Sequence, residues 1–427
     1  MSEDQRANLL RMFEAAVAAA HPRQCLVPHL PPLPPGGRLV VLAAGKAAGS
    51  MAAVANDVYR QQGATGDTLV GLAVARHGYG GAAGLIPVIE AGHPVPDEAG
   101  IAATARTLAL AESAGANDLV LVLLSGGGSA NWIAPAGRLT LDEKQGITRA
   151  LLRSGANIGE INTVRKHLSR IKGGRLARLA APARVLTLAI SDVPHDDPAV
   201  IASGPTVPDP STLAEARAVI ARRSIALSDS ARALLDDPGS ETPKPGDPIF
   251  DRTEFRIVAR PADAVAAAAR SAEQAGYEAV VLGADVEGEA RGVAADHARL
   301  ALDMAASGKR TAIVSGGELT VTIRGAGRGG PNQEYALALA IALQGAPGIA
   351  ALAADTDGTD GGAGSAADPA GAAIDETTLA RAEKLGLDAR AALDDNDSTN
   401  FFERLRDLIT PGPTRTNVND CRIILVG

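Results

Sequence analysis

Short β-branched and leucine-rich runs recur along the chain, and most end in a glycine-rich polar loop that leads into a helical pattern. In the first half these runs lie at 38–43, 69–75, 86–90, 119–124 and 185–190, with helical patterns at 47–60, 98–114 and 160–171. The last of those helices meets Gly173 and Gly174, a normal helix stop. Strand–helix alternation predicts an α/β fold with a mostly parallel sheet covered on both faces. Right-handed crossovers then favour a Rossmann-like, doubly wound N-terminal domain. Strand signals resume at 255–259, 279–282, 311–315, 319–323, 349–353 and 422–426, with helices at 262–274, 288–306 and 332–343. The Pro- and Asp-rich stretch 236–251 reads as a linker, so two α/β domains are expected, 1–240 and 241–427.

Composition narrows the class. With 46% apolar residues the chain can bury a large core, and with 2% aromatics Ala, Val, Leu and Ile must fill it. A net charge of −8 without a long basic run argues against nucleic-acid binding. Cys25 and Cys421 are far apart and lack CxxC partners, so neither a disulfide framework nor a zinc site is expected. The N-terminal stretch reads as an amphipathic helix with Leu9, Leu10, Phe13 and Val17 on one face. It has no signal-peptide pattern and no run reaches membrane-spanning length, so a cytoplasmic protein without a membrane partner is expected.

Ligands of open α/β sheets bind at loops leaving the C-terminal strand ends. The first such loop, AAGKAAGSM, places Lys46 at a helix start, where its charge adds to exposed N–H donors for an anion. It is not a Walker A loop, since the spaced upstream glycine is missing and Ala47 replaces the Ser/Thr. The second, LLSGGGSAN, offers Ser125, Gly126, Gly127, Gly128 and Ser129 as an anion nest, although a tight turn alone would also use three glycines. In NTVRKHLSRIKGG, Arg165 and Lys166 are candidates for an anionic substrate, while Arg170 and Lys172 read as a solvated outer face. The loop SDVPHDDPAVIASGPTVPD begins with Asp192 just past a strand, the place of a general base or Mg²⁺ ligand. His195, Asp196 and Asp197 are weaker candidates, since loop capping by Asp is common. In AGHPVPDEAG, His93 contacts ligand or packs beside prolines, and Asp97 reads as a helix N-cap.

In the second half, Glu318 follows a Gly pair at a strand end and Arg328 precedes one before a helix. Asp355, Asp357 and Asp360 resemble a calcium loop, but Thr359 holds a ligand position and Ala366 replaces the bidentate Glu. A Mg²⁺–nucleotide site using one or two carboxylates, or an Asx-turn cluster, fits better.

The ordered motifs GKAA, GHPVPDEAG, LLSGGGSA, NTVRKHLSRIKGG, SDVPHDDPAVIASGPT, SGGE, NQE, DTDGTDG and GPTRTNVND resemble the class II glycerate kinase family over nearly the whole chain. These are glycerate 2-kinases with a C-terminal MOFRL domain, many of them labelled hydroxypyruvate reductase. The resemblance implies ATP- and Mg²⁺-dependent conversion of D-glycerate to 2-phosphoglycerate in a cleft between the two domains. It also implies that Lys46 is a functional lysine. Two positions depart from the family pattern. Pro331 stands where relatives carry an arginine, so Arg328 is the candidate replacement for that charge, and Arg415 stands where relatives commonly have Gly.

The expected roles follow. Glycerate's carboxylate takes the Ser125–Ser129 nest, His93 and Arg165 or Lys166. Lys46, Asp192 and Arg328 act at the transferring phosphate. Glu318, Asn332, Asp357 and Asn417 hold the nucleotide, and Asp192 and Asp355 hold Mg²⁺. A homodimer is the assembly to test. Two rivals stay open: an NAD(P)H-dependent hydroxypyruvate reductase, against which the GxGxxG fingerprint is missing, and a non-catalytic metabolite-binding regulator.

Overall fold

The computed structural model describes residues 3–362 and 365–427. The chain forms two compact units, one of residues 26–258 and one joining the N-terminal helix to residues 259–427.

The strands of the 26–258 unit are β1 (Leu39–Ala44), β2 (Leu69–Arg76), β3 (Val88–Ala91), β4 (Leu119–Leu124), β5 (Arg184–Ile190) and β6 (Thr253–Ala259). They form one sheet in the order β3-β2-β1-β4-β5-β6. The pairs β1–β2, β1–β4, β2–β3 and β4–β5 are parallel. Every residue of β1 and β4 is buried, as expected of central strands covered by helices on both faces. The sequence order reverses between β1 and β4, where an open parallel sheet leaves a crevice at its strand ends. The loops after β1, β4 and β5, which carry Lys46, Ser125–Ser129 and Asp192, are brought to that edge.

The second unit adds β7 (Glu278–Gly283), β8 (Gly288–Glu289), β9 (Thr311–Ser315), β10 (Leu319–Thr320), β11 (Ile349–Asp355), β12 (Gly371–Asp375), β13 (Leu408–Ile409) and β14 (Asp420–Val426). Its main sheet has the order β13-β12-β11-β14-β9-β7. Among its described pairs only β7–β9 is parallel. The helix Pro331–Leu343, Ala-rich and buried along most of its length, lies in the core with the helix Ala290–Ala306.

Two sequence expectations differ from this arrangement. The run 255–259, read as the opening of the second domain, belongs to β6, which pairs at the edge of the first sheet. Its mixed exposed and half-buried pattern suits an edge strand. The N-terminal helix Glu3–Ala20 packs chiefly on the helix Pro261–Gln274, far from it in sequence, burying Leu9, Met12 and Phe13. The first compact unit accordingly runs from residue 26 to residue 258, not from 1 to 240. No helix among the described residues is long and apolar enough to cross a membrane.

Candidate functional site

In the 26–258 unit, β1 ends at Gly45, whose backbone is left-handed (φ +119°). A Cβ on Gly45 would lie 2.4 Å from both the carbonyl and the hydroxyl oxygen of Ser125. Glycine is required there on both counts, and its absence of side chain lets the β1 and β4 turns touch. Two bonds lock them: Lys46 N–H donates to the Gly126 carbonyl at 2.8 Å, and Ala47 N–H to Ser125 Oγ at 2.9 Å. Gly127 is also left-handed (φ +83°), and a Cβ on it would sit 2.9 Å from His93 Cδ2 and 3.4 Å from Lys46 Cγ. Lys46, His93 and the Ser125–Ser129 turn therefore meet at one point.

Beside this point Ser129 is held by two cations. Arg165 Nη2 donates to Ser129 Oγ at 2.7 Å, and Lys172 Nζ donates to Ser129 Oγ and to its carbonyl, each at 2.7 Å. Ser129 Oγ lies 2.9 Å from Ser203 Oγ. The solvated face expected for Lys172 is corrected: it is only 1% exposed. The helix Ile158–His167 ends before it, so Lys172 leaves that helix's outer face and turns inward, while Arg170 is exposed. Burial, reinforced by Arg165 and Lys144, pushes the Lys172 ammonium well below its usual range. Lys166, expected at the substrate, has its Nζ 3.2 Å from Asp209 Oδ1 in a buried pair. Burial alone would raise Asp209, but Lys166 and the Ser211 donors outweigh it and hold the carboxyl below its ordinary value.

Asp192 is half-buried, two residues beyond β5. The loop that follows puts His195, Asp196, Ala202 and Ser203 at positive φ, between 50° and 64°. Four non-glycine residues in that region mark a loop held against its local preference. Asp97 caps the helix Glu98–Glu112, its side chain accepting from Gly100 N–H, as its position suggested.

In the second unit, Pro331 is the first residue of the helix Pro331–Leu343. Proline suits that position because the N–H it lacks would have had no helical partner. Asp360 caps the same helix: its carboxylate accepts from the backbone of Asn332 and Gln333 at 3.0 and 2.9 Å. Burial pushes Asp360 up to about 7, with Asp420 adding to the rise. Asn332 donates its amide to Asp360 and Asp420, and Arg422 closes the network with a 2.7 Å bond to Asp420. The Oδ1 of Asn332 is buried with no partner among the described residues. Asp357 and Asp355 form successive Asx turns, accepting from Thr359 and Asp357 N–H respectively. Asn417 is 2% exposed and Glu318 is exposed. The Arg328 guanidinium is exposed and bonds Asn400 at 2.7 Å and Glu403 at 3.4 Å. Arg415, in place of the family's common glycine, has φ +63°, which explains why glycine suits that position.

Residues 8–236 match the family described as Domain of unknown function (DUF4147), and residues 311–420 match the MOFRL family. The chain belongs to the DUF4147 family. The D-glycerate 2-kinase of Thermotoga maritima is 38% identical to it over 98% of this chain and 97% of its own length. A Thermotoga maritima crystal structure of glycerate kinase matches with a TM-score of 0.87 at 37% identity, covering 100% of both chains. An Agrobacterium vitis protein with the provisional name hydroxypyruvate reductase is 48% identical over 98% of this chain and 94% of its own length. The resemblance carried by the ordered motifs thus holds across this DUF4147 chain. Its MOFRL segment contains Glu318, Arg328, Asn332, Asp355, Asp357 and Asn417. Lys172, Ser203, Asp420 and Arg422 were not singled out as site residues from the sequence.

Proposed function

We propose that this chain is a glycerate 2-kinase, transferring the γ-phosphoryl group of ATP to the 2-hydroxyl of D-glycerate. The observation that carries this reading is the full-length similarity to a D-glycerate 2-kinase, joined to a lysine held at a Gly-rich anion turn. Phosphoryl transfer asks for positioning and charge neutralisation, not covalent catalysis. In the 26–258 unit, which we read as Rossmann-like from its strand order, Lys46 neutralises charge on the transferring phosphate. Asp192 is assigned either to accept the hydroxyl proton or to hold Mg²⁺, and the Ser125–Ser129 turn with His93 and Arg165 receives the carboxylate. Lys166 supports this surface through Asp209.

In the second unit, Glu318, Asn332, Asp357 and Asn417 are assigned to the nucleotide, with the buried Asn332 Oδ1 an acceptor for a ligand donor. Arg328 is assigned to charge on the phosphates. No three His, Cys, Asp or Glu side chains among the described residues form a ready-made metal cage. Mg²⁺ commonly takes one or two carboxylates plus substrate phosphates, and Asp192 of the first unit and Asp355 of the second are each assigned as candidates for such a carboxylate. When bound, the ion would neutralise phosphate charge. The strand order, shared with dinucleotide folds, and the Agrobacterium relative's name favour hydroxypyruvate reduction as the second reading. Phosphorus NMR of the product from D-glycerate and Mg-ATP tests the proposal. The 2-phosphoglycerate signal is expected; 3-phosphoglycerate alone would refute the assigned hydroxyl.

A further inference from the structure

Hydrogen-bond arithmetic around Ser129 points to a substrate contact outside the residues assigned above. A serine hydroxyl has two acceptor lone pairs and one donor proton. Ser129 Oγ accepts from Arg165 Nη2 and from the Lys172 ammonium, each at 2.7 Å, so both lone pairs are used. Its own proton is left for Ser203 Oγ at 2.9 Å. Ser203 then acts as acceptor to Ser129, and its proton must point elsewhere. No other group among the described residues pairs with that hydroxyl, yet Ser203 is only 1% exposed. A buried, oriented donor with nothing to receive its proton is costly unless a ligand supplies an acceptor.

Charge tells which kind of acceptor. Lys144, Arg165 and Lys172 lie together, and among the described residues none has a carboxylate partner. Burying uncompensated cations is unfavourable, and an arriving anion offsets it and keeps Lys172 in the ammonium form that fixes the bond directions. Ala202, the residue before Ser203, lies close to the end of β1: a Cβ on Gly128 would be 3.1 Å from Ala202 Cβ and 3.2 Å from the carbonyl of Ala44. The left-handed backbone at Ala202 and Ser203 (φ 50° and 64°) holds the hydroxyl in this place.

We infer that Ser203 donates a hydrogen bond to the carboxylate of a small 2-hydroxy acid, with Lys172 as the positioning residue that orients it through Ser129. The inference rests on the kinase reading for its substrate and adds a residue to it. Ser203→Gly is the variant of choice, because glycine accepts the positive φ and the substitution removes the hydroxymethyl group without adding backbone strain. The KM for D-glycerate is expected to rise about ten- to a hundredfold, the range for a bond to a charged group, with the KM for ATP unchanged. Discrimination between glycerate and glyceramide should shrink, and calorimetric binding of glycerate should weaken in step. Lys172→Met should raise the glycerate KM by less in a Ser203→Gly background than in the wild type, because the part of its effect that passes through Ser203 is already lost. An active wild type whose Ser203→Gly variant keeps its glycerate KM within about twofold overturns the inference alone. A wild type that neither binds nor phosphorylates glycerate overturns it together with the kinase reading.

Discussion

Gly127→Ala is the most informative single perturbation of the candidate site. Its backbone is left-handed, so alanine costs roughly 1–2 kcal/mol from conformation alone. The added methyl would sit 2.9 Å from His93 Cδ2, 3.1 Å from His93 Nε2 and 3.4 Å from Lys46 Cγ. Relief of that crowding requires His93 and Lys46 to shift, adding about 1–3 kcal/mol by comparison with other overpacked sites. Gly63→Ala is the matched control: φ is +89°, and nothing lies within 4 Å of its would-be Cβ. Both variants should unfold at lower temperature, by roughly 2–4 °C per kcal/mol for a unit of this size. Only Gly127→Ala should lose activity, by about a hundredfold in kcat/KM, because a reacting group displaced by near 1 Å costs that much. Calorimetric melting and a coupled ADP assay on the two proteins read both quantities. Equal activity in the two variants would refute the reasoning, since it would mean the Lys46–His93–Gly127 junction plays no part in the chemistry.

Asp209→Ala strands the buried Lys166 charge and should cost about 3–5 kcal/mol in urea unfolding. Asp360 gives a pH signature: unfolded it binds a proton only below its ordinary value near 3.8, folded it keeps one up to about 7. The folded state therefore holds the extra proton between those values, so this contribution to stability is present at low pH and lost as pH rises through about 7. Melting of wild type at pH 5 and 8, compared with Asp360→Asn, should show a shallower decline in the variant. Arg328→Ala should lower kcat if its charge replaces the arginine absent at Pro331; full kcat there, beside an inactive Lys46→Ala, would refute that role.

The parallel pairing of the first sheet and the loops at its strand ends were legible because most of its apolar runs are followed by a Gly-rich polar turn. Gly45 and Gly127 announced themselves as glycines, but the His93 contact that makes Gly127 necessary depends on folding. The Ser129 cluster was not legible, since Lys172 and Ser203 lie 43 and 74 residues away in sequence. Locally, Lys172 looks like its neighbour Arg170, and only the end of the helix at His167 sends them to different environments. Asp360 looked like one of three loop aspartates, and its role as cap of the helix Pro331–Leu343 comes from a chain segment 28 residues earlier. The N-terminal helix gave a clear apolar face, while the helix it covers is set by the tertiary fold.

The central claim is phosphoryl transfer to glycerate rather than reduction of hydroxypyruvate. One protein preparation, given D-glycerate with Mg-ATP and separately hydroxypyruvate with NADH, measures both. The account predicts ADP formation that depends on glycerate and no NADH oxidation; NADH oxidation without glycerate-dependent ADP would contradict it.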